Sequence, residues 1–223
     1  MTEEKKTNKY EMDMCNGPIL KKLLIFTLPL MCSSMLQLLF NAADIIVVGR
    51  FAGDNSLAAV GSTTSLILLL SNLFIGLSVG ANVLAARYFG AKRGNELSKT
   101  VHTSLLLSLI SGVALAVIGV IASKPILMLM DTPDTVIDLS ALYLRIYFLG
   151  MPAMLAYNFG AAILRAVGDT RRPLYYLLAA GVVNVVLNLF FVIVLSMGVA
   201  GVAIATDISQ VISAGLVVRC LMQ

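Results

Sequence analysis

Polar side chains interrupt the long apolar stretches of this sequence, and their types suit the handling of a cation. Gln37, Asn41 and Asp44 are spaced by four and three residues, so on a helix they share one face. Asn184 and Asn188 are four apart on a later stretch. Carboxylate and amide oxygens held among apolar residues are ligands for a proton or a small hard cation.

The composition places these residues in a membrane. Of 223 residues, 59% are hydrophobic and 13% are charged, and the mean hydropathy is +0.92. These values exceed what a water-soluble domain can cover with polar surface. The three cysteines show no CxxC spacing, which favours reduced thiols over a disulfide framework or a metal site.

Charges mark the ends of the spans. A bilayer core of about 30 Å needs about 20 apolar helical residues, and barrel-type alternation is absent from the sequence. We therefore predict an all-α membrane protein, with a cytoplasmic N-terminal segment over residues 1–16 and a six-helix transmembrane bundle over 17–223. The predicted spans are about 19–48, 56–86, 97–123, 136–163, 173–195 and 199–220.

The basic residues orient these spans. With six spans, 13 of the 16 Lys and Arg residues fall on one side of the membrane. Because cation-rich connections face the cytoplasm, we predict both termini to be cytoplasmic. The net charge of +4 is explained by anionic lipid headgroups, without nucleic acid. The apolar segment after Lys124 is too short to span, and we expect it to lie along the outer interface.

Depth brings the polar residues of three helices together. At about 1.5 Å per residue, Asp44, Asn188 and Thr206 lie roughly 6 to 10 Å below the outer ends of their predicted helices. Asn184 lies about 16 Å down. We therefore expect a cation or proton site in the outer half of the membrane. Gln37, Asn41 and Asp207 are further candidates for the wall of a substrate cavity.

Each of these residues also has a structural interpretation. Asn184, Asn188 and Thr206 are residue types that cross-link membrane helices. Asp44 is close enough to the outer interface for wetting, although carboxylates inside a membrane are functional by default. Asp207 lies nine residues into its helix, where the positive helix end favours a structural anion.

The sequence contains little that indicates an enzyme. The sequence has one His, and it contains no HExxH, no GxSxG and no phosphate-binding glycine loop, which are the short motifs of common enzyme sites. No resident cofactor is expected.

Four segments of the chain resemble the multidrug and toxic compound extrusion (MATE) family of secondary transporters. They are TLPLMCSSMLQLLFNAADIIVVGRFAG, NLFIGLSVGANVLAARYFGAKRGNE, YLRIYFLGMPAMLAYNFGAAILRAVGDTRRPLYY and NVVLNLFFVIVLSMGVAGVAIATDISQ. The resemblance runs in order from about Gly17 to the end. Its most specific parts are the LRAVGDTRRP connection and the GVAGVAIAT entry into the sixth span.

The resemblance implies roles for four residues. Asp44 falls where the family has a first-helix carboxylate that is proposed to take up the coupling proton, or to bind sodium in some members. Asn184 and Thr206 match a fifth-helix Asn and a sixth-helix Thr of the same cation site. Asn188 falls where some members have Asp, so Asp44 would be the main proton acceptor of the cluster in this chain.

The resemblance also implies a partner for this bundle. Family members have twelve spans in two similar lobes around a central cavity, and this chain supplies one lobe. We expect either a piece of a longer protein or a half that self-assembles, so that the second six-helix lobe comes from the same full-length chain or from a homodimer mate.

The expected function is multidrug efflux at the plasma membrane, by antiport of amphipathic, often cationic compounds against protons or sodium. One alternative is a flippase-like transporter of lipid-linked oligosaccharides, although Arg145 is the only Lys or Arg away from the ends of a predicted span that is available for such a cargo. The other alternative is a membrane scaffold that transports nothing.

Overall fold

The computed structural model describes residues 19–222, and all regular elements in that range are helical. The elements are α1 (Ile19–Phe51), α2 (Asp54–Gly90), α3 (Gly94–Leu129), α4 (Ile137–Leu149), α5 (Met151–Ala166), α6 (Arg171–Leu189), a π-helical turn (Phe190–Val194) and α7 (Gly198–Leu221). The predicted cytoplasmic segment over residues 1–16 lies outside the described residues.

Apolar helices long enough to cross a bilayer make up most of this range. α1, α2, α3 and α7 each meet that length and composition, α6 does so together with its π-helical continuation, and α4 with α5 does so as one span bent by 48°. Counted this way, residues 19–222 form six spans. The predicted all-α, six-helix class is confirmed.

The fourth span is broken at Gly150, where α4 ends and α5 begins. Pro152 has no backbone N–H, and its ring clashes with a helical carbonyl four residues earlier, so a straight helix cannot continue. The Gly150 N–H donates instead to the Tyr147 carbonyl at 3.2 Å, and the Met154 N–H donates to the Gly150 carbonyl at 3.0 Å. The span predicted over about 136–163 is therefore two helices.

The third span is longer than predicted. α3 passes through Pro125 and ends at Leu129, so the apolar segment after Lys124 is part of this helix, and its position along the outer interface stays a prediction. Leu127 gives the physical reason, because its side chain is fully buried and packs with Ile137 and Leu144 of α4. That burial favours another helical turn after Pro125.

Small residues allow α3 to approach the broken span closely. One face of α3 presents buried small side chains at spacings of three and four, namely Ser104, Ser108, Gly112, Ala116, Gly119 and Ser123. This face packs against both α4 and α5. Without a hydrophobic driving force in lipid, such close contact is a main source of helix association.

α1 lies at the edge of the bundle and packs mainly on α6. Most of its apolar side chains are exposed, but Val47 and Val48 near its C-terminal end are buried with Val199 and Val202 of α7. The C-terminal end of α1 and the N-terminal end of α7 therefore meet in one apolar core, which Val192 of the π-helical turn after α6 completes. The predicted cation ligands lie just below this core on the same three helices.

Candidate functional site

Asp44, Asn188, Asn184 and Thr206 form one hydrogen-bonded cluster, although they come from three helices. The Asn188 Nδ2 group donates to Asp44 Oδ1 and to Asn184 Oδ1 at 3.3 Å. The Asn184 Nδ2 group donates to Thr206 Oγ1 at 3.3 Å. The Thr206 hydroxyl donates to the Val202 carbonyl at 3.0 Å. The structure therefore brings together all four residues predicted for the cation site.

The cluster is largely shielded from solvent. Asn184 is 4% exposed and Asn188 is 1% exposed, whereas Asp44 and Thr206 are half-buried. The apolar core formed by Val48, Val199 and Val202 lies one turn further along. An ionised carboxylate in such surroundings is costly unless a proton or a cation neutralises it.

One oxygen in the cluster has no partner. Among residues 19–222, Asn188 Oδ1 is a buried acceptor without a hydrogen bond, and an unmade buried hydrogen bond costs about 1–3 kcal/mol. The Asn188 Nδ2 group is hydrogen-bonded to the Asp44 carboxylate, whereas the Asn188 Oδ1 atom accepts no hydrogen bond. A proton on Asp44, or a small cation beside it, would give the Asn188 oxygen a partner after rotation of the amide.

The donor set is rich in neutral oxygen and contains one carboxylate. In the described part of the chain, no group of three or more His, Cys, Asp or Glu side chains is arranged to hold a metal ion. Carboxylate, amide and hydroxyl oxygens suit a proton or a hard monovalent cation better than a transition metal.

The three candidates for the substrate cavity lie outside the cluster. Gln37 and Asn41 share the α1 face predicted for them but are exposed on the surface of the bundle. Asp207 follows Thr206 directly, yet its carboxylate points to Gly150 at the α4–α5 break. A single helix turns by about 100° per residue, which separates these neighbouring side chains.

Two groups near the cluster were not predicted from the sequence. The rings of Tyr143 and Tyr147 on α4 stack with centroids 6.5 Å apart, and the Tyr143 phenol lies within electrostatic range of both Asp44 and Asp207. The sequence does contain a pattern that could have indicated this pair, because two tyrosines four residues apart on a helix share a face.

A contact between two other helices was not predicted either. Asn82 Nδ2 on α2 donates to the Ala162 carbonyl on α5 at 2.6 Å.

The LRAVGDTRRP connection is built around Asp169. This side chain is 1% exposed, and its Oδ1 accepts the backbone N–H groups of Arg171 and Arg172 at 3.1 Å each. The Arg172 Nε lies 3.3 Å from Asp169 Oδ2. Burial raises the pKa of the Asp169 carboxyl, and hydrogen bonds and charge from the two arginines oppose that rise. The connection therefore fixes the start of α6.

Known proteins share this architecture. A family model named MatE matches residues 29–190. The probable multidrug resistance protein YoeA of Bacillus subtilis (strain 168) is 38% identical over 193 residues, which are 84% of this chain and 41% of YoeA. An FAD transporter of Shewanella oneidensis is 27% identical over 91% of this chain and 46% of its own length.

A solved structure agrees with the fold. A MOP superfamily transporter from Pyrococcus furiosus superposes with a TM-score of 0.89 at 30% identity, over 97% of this chain and 48% of that protein. The helical bundle thus matches one lobe of that transporter, as expected for a multi-pass membrane protein. The chain belongs to the MatE family, and it spans less than half the length of these relatives.

Proposed function

We propose that this chain forms the first lobe of a cation-coupled exporter of amphipathic, often cationic compounds, and that Asp44 carries the coupling proton or sodium ion. The observation that supports this most directly is the contact between Asp44 and Asn188, whose amide is buried and has one open oxygen. A carboxylate in that position is suited to bind and release a proton or a cation, because a permanent negative charge there is costly.

In the proposed cycle, Asp44 is loaded from outside and unloaded inside. Loading neutralises the carboxylate and weakens its attraction for a cationic compound, so the compound is released outward. Unloading restores the negative charge, which attracts the next cationic compound. Because each ligand favours a different charge state of Asp44, the two exclude one another, which is the requirement for antiport.

The second lobe completes the transporter in this proposal. Many large apolar side chains of α1 and α2 are exposed, among them Leu38, Leu39, Leu68 and Leu69. Gln37 and Asn41 are exposed on α1 too. A polar pair within an otherwise apolar surface suits the wall of a cavity shared with a second six-helix lobe.

Location and orientation belong to the same proposal. Lys and Arg residues concentrate on one side of the six spans, so we place both ends of the described bundle in the cytoplasm and the protein in the cell membrane. Outward loading of Asp44 then uses the ion gradient across that membrane.

The test is Asp44→Asn in the complete reading frame that contains this sequence, expressed in a drug-sensitive bacterium. We expect loss of ethidium efflux and of resistance, with unchanged membrane insertion. Asp138→Asn is the matched control, because this exposed acid pairs with Lys124 at 2.7 Å and not with a member of the cluster. Efflux that persists in the Asp44 variant would refute the coupling role.

The same efflux assay shows whether protons or sodium ions drive the export. A protonophore added in sodium-free buffer should stop efflux if protons drive it, whereas sodium alone should sustain efflux if sodium drives it. A wild-type protein that exports nothing under either gradient would favour the scaffold.

A second candidate substrate comes from the Shewanella oneidensis relative, which is an FAD transporter. An anionic dinucleotide has the opposite charge to the compounds proposed above. Measuring FAD and ethidium export in the same cells decides between them.

A further inference from the structure

Asp207 is a carboxylate that the proposed cycle does not use. It lies on α7 and is half-buried. Within residues 19–222 no hydrogen bond or ion pair involves its side chain. An ionisable side chain in such a position is costly, and carboxylates inside a membrane are functional by default.

The Asp207 carboxylate lies against Gly150, the residue at which the fourth span breaks. A Cβ on Gly150 would occupy the space of the Asp207 carboxylate. Gly150 has an ordinary helical conformation, with φ −77° and ψ −11°. Glycine is therefore required here for the room that it leaves beside the carboxylate, and not for its backbone freedom.

The surroundings of Asp207 suit a proton better than a metal ion. The titratable groups of the described chain within electrostatic range are the phenols of Tyr143 and Tyr147 on α4, and no basic group is among them. One carboxylate and two phenols supply fewer oxygens than the six to eight that a calcium-like ion takes. A proton needs a single oxygen.

The α4–α5 break gives the charge of Asp207 a mechanical effect. α5 begins at Met151, directly after Gly150, and the first turn of a helix carries a partial positive charge. The same break holds the C-terminal end of α4 at Leu149, which carries the opposite partial charge, so an ionised Asp207 acts on both helix ends, whereas a protonated Asp207 does so only weakly. The contact between α7 and the bend therefore depends on one proton.

We propose that Asp207 is a second proton-binding site of this lobe, and that its occupancy sets the bend between α4 and α5 at Gly150. The proton comes from water and returns to water, with no other bond changed. This inference rests on the proposed antiport function. It adds a second titrating carboxylate to a lobe in which Asn188 supplies none.

The first experiment counts protons. The purified product of the complete reading frame is mixed with saturating ethidium in weak buffer, and released protons are measured with an indicator dye. We expect the number released by Asp207→Asn, and also by Asp44→Asn, to fall by about half relative to the wild type. Asp138→Asn, at an exposed acid, should match the wild type.

Release of the wild-type number of protons by Asp207→Asn would overturn the inference. If Asp207→Asn fails to fold, Asp207→Ser serves as the second variant, since it also removes the carboxylate. A wild type that releases no protons would also overturn the inference, whereas the proposed function fails in a different way, namely if Asp44→Asn still exports ethidium.

The second experiment measures the bend. Spin labels at the exposed positions Leu142 on α4 and Leu178 on α6 report the distance across the bundle as pH changes. We expect that distance to change with pH in the wild type and in Asp44→Asn, and to stay constant in Asp207→Asn. If the distance in Asp207→Asn still changes with pH as in the wild type, the bend does not depend on the protonation of Asp207, and the inference is refuted.

A double substitution checks the contact itself. Gly150→Ala should destabilise the protein, because the new methyl group meets the Asp207 carboxylate. Adding Asp207→Ala makes room and should restore the thermal unfolding temperature. Failure of this rescue would show that the two residues are not in contact.

Discussion

The ring of Phe40 on α1 lies against the Cα of Gly181 on α6, in the space that a Cβ would fill. Phe40 is one helical turn before Asp44, and Gly181 is one turn before Asn184. This contact therefore sets how closely α1 approaches α6 at the level where Asp44 meets Asn188. The contact between Asp44 and Asn188 therefore depends on a glycine at position 181, which leaves room for the Phe40 ring.

Gly181→Ala is expected to push α1 away from α6. The added methyl group overpacks the contact, which typically costs about 1–3 kcal/mol, and it should also impair efflux by separating Asp44 from Asn188. Thermal unfolding in detergent and ethidium efflux measure the two effects. Gly215→Ala is the control, because a Cβ there meets nothing within 4 Å.

Thr206→Val should weaken the cluster without changing its charge. Valine has nearly the shape of threonine but removes the acceptor for Asn184 Nδ2, which leaves a buried donor unpaired at a cost of about 1–3 kcal/mol. Thr206→Ser keeps the hydroxyl and should behave as the wild type. Equal unfolding temperatures for the two variants would contradict the hydrogen bond.

Asn188→Asp should retain transport but change its response to pH. Two carboxylates in contact disfavour the doubly charged state, so the pair keeps one proton over a wider range. We expect efflux to persist to higher pH than in the wild type. Asn95→Asp adds the same charge at an exposed position and should leave the pH profile unchanged; a shift there would point to a general charge effect.

Asp169→Ala should loosen the connection between α5 and α6. The substitution removes the acceptor for two backbone N–H groups and the partner of Arg172, and loss of a helix cap typically costs about 0.5–2 kcal/mol. Asp169→Asn keeps one acceptor and should lose less. The exposed Asp134→Ala controls for charge removal in the unfolding measurement.

Helical spacing and depth arithmetic were sufficient to predict which residues form the cluster. The levels of Asp44, Asn188 and Thr206 could be calculated because a charge marks the end of the first span and the SMGVAG turn at 196–201 separates the fifth span from the sixth. The same arithmetic placed Asn41 on the polar face of α1, but the stripe that contacts α6 runs through Phe40 and Asp44. Asn41 is about 100° away from Phe40 and stays exposed.

The contacts between particular helices could not be predicted from the sequence. Nothing in the periodicity of α7 indicates that Asp207 meets Gly150, because one helix does not specify which helix lies beside it. The extension of α3 to Leu129 has a similar origin. A prediction from local composition ended the helix near Pro125, whereas burial of Leu127 against α4 continues it.

The π-helical turn at Phe190–Val194 places a constraint on chimeras made from related transporters. A π-helical turn holds about one residue more than an α-helical turn, and here it separates Asn188 from Thr206 along the chain. Removing one residue within it would leave an α-helical turn and shorten the chain that leads from α6 to the turn before α7. A junction in this segment therefore preserves the connection between α6 and α7 when the residue count is kept, whatever side chains are exchanged.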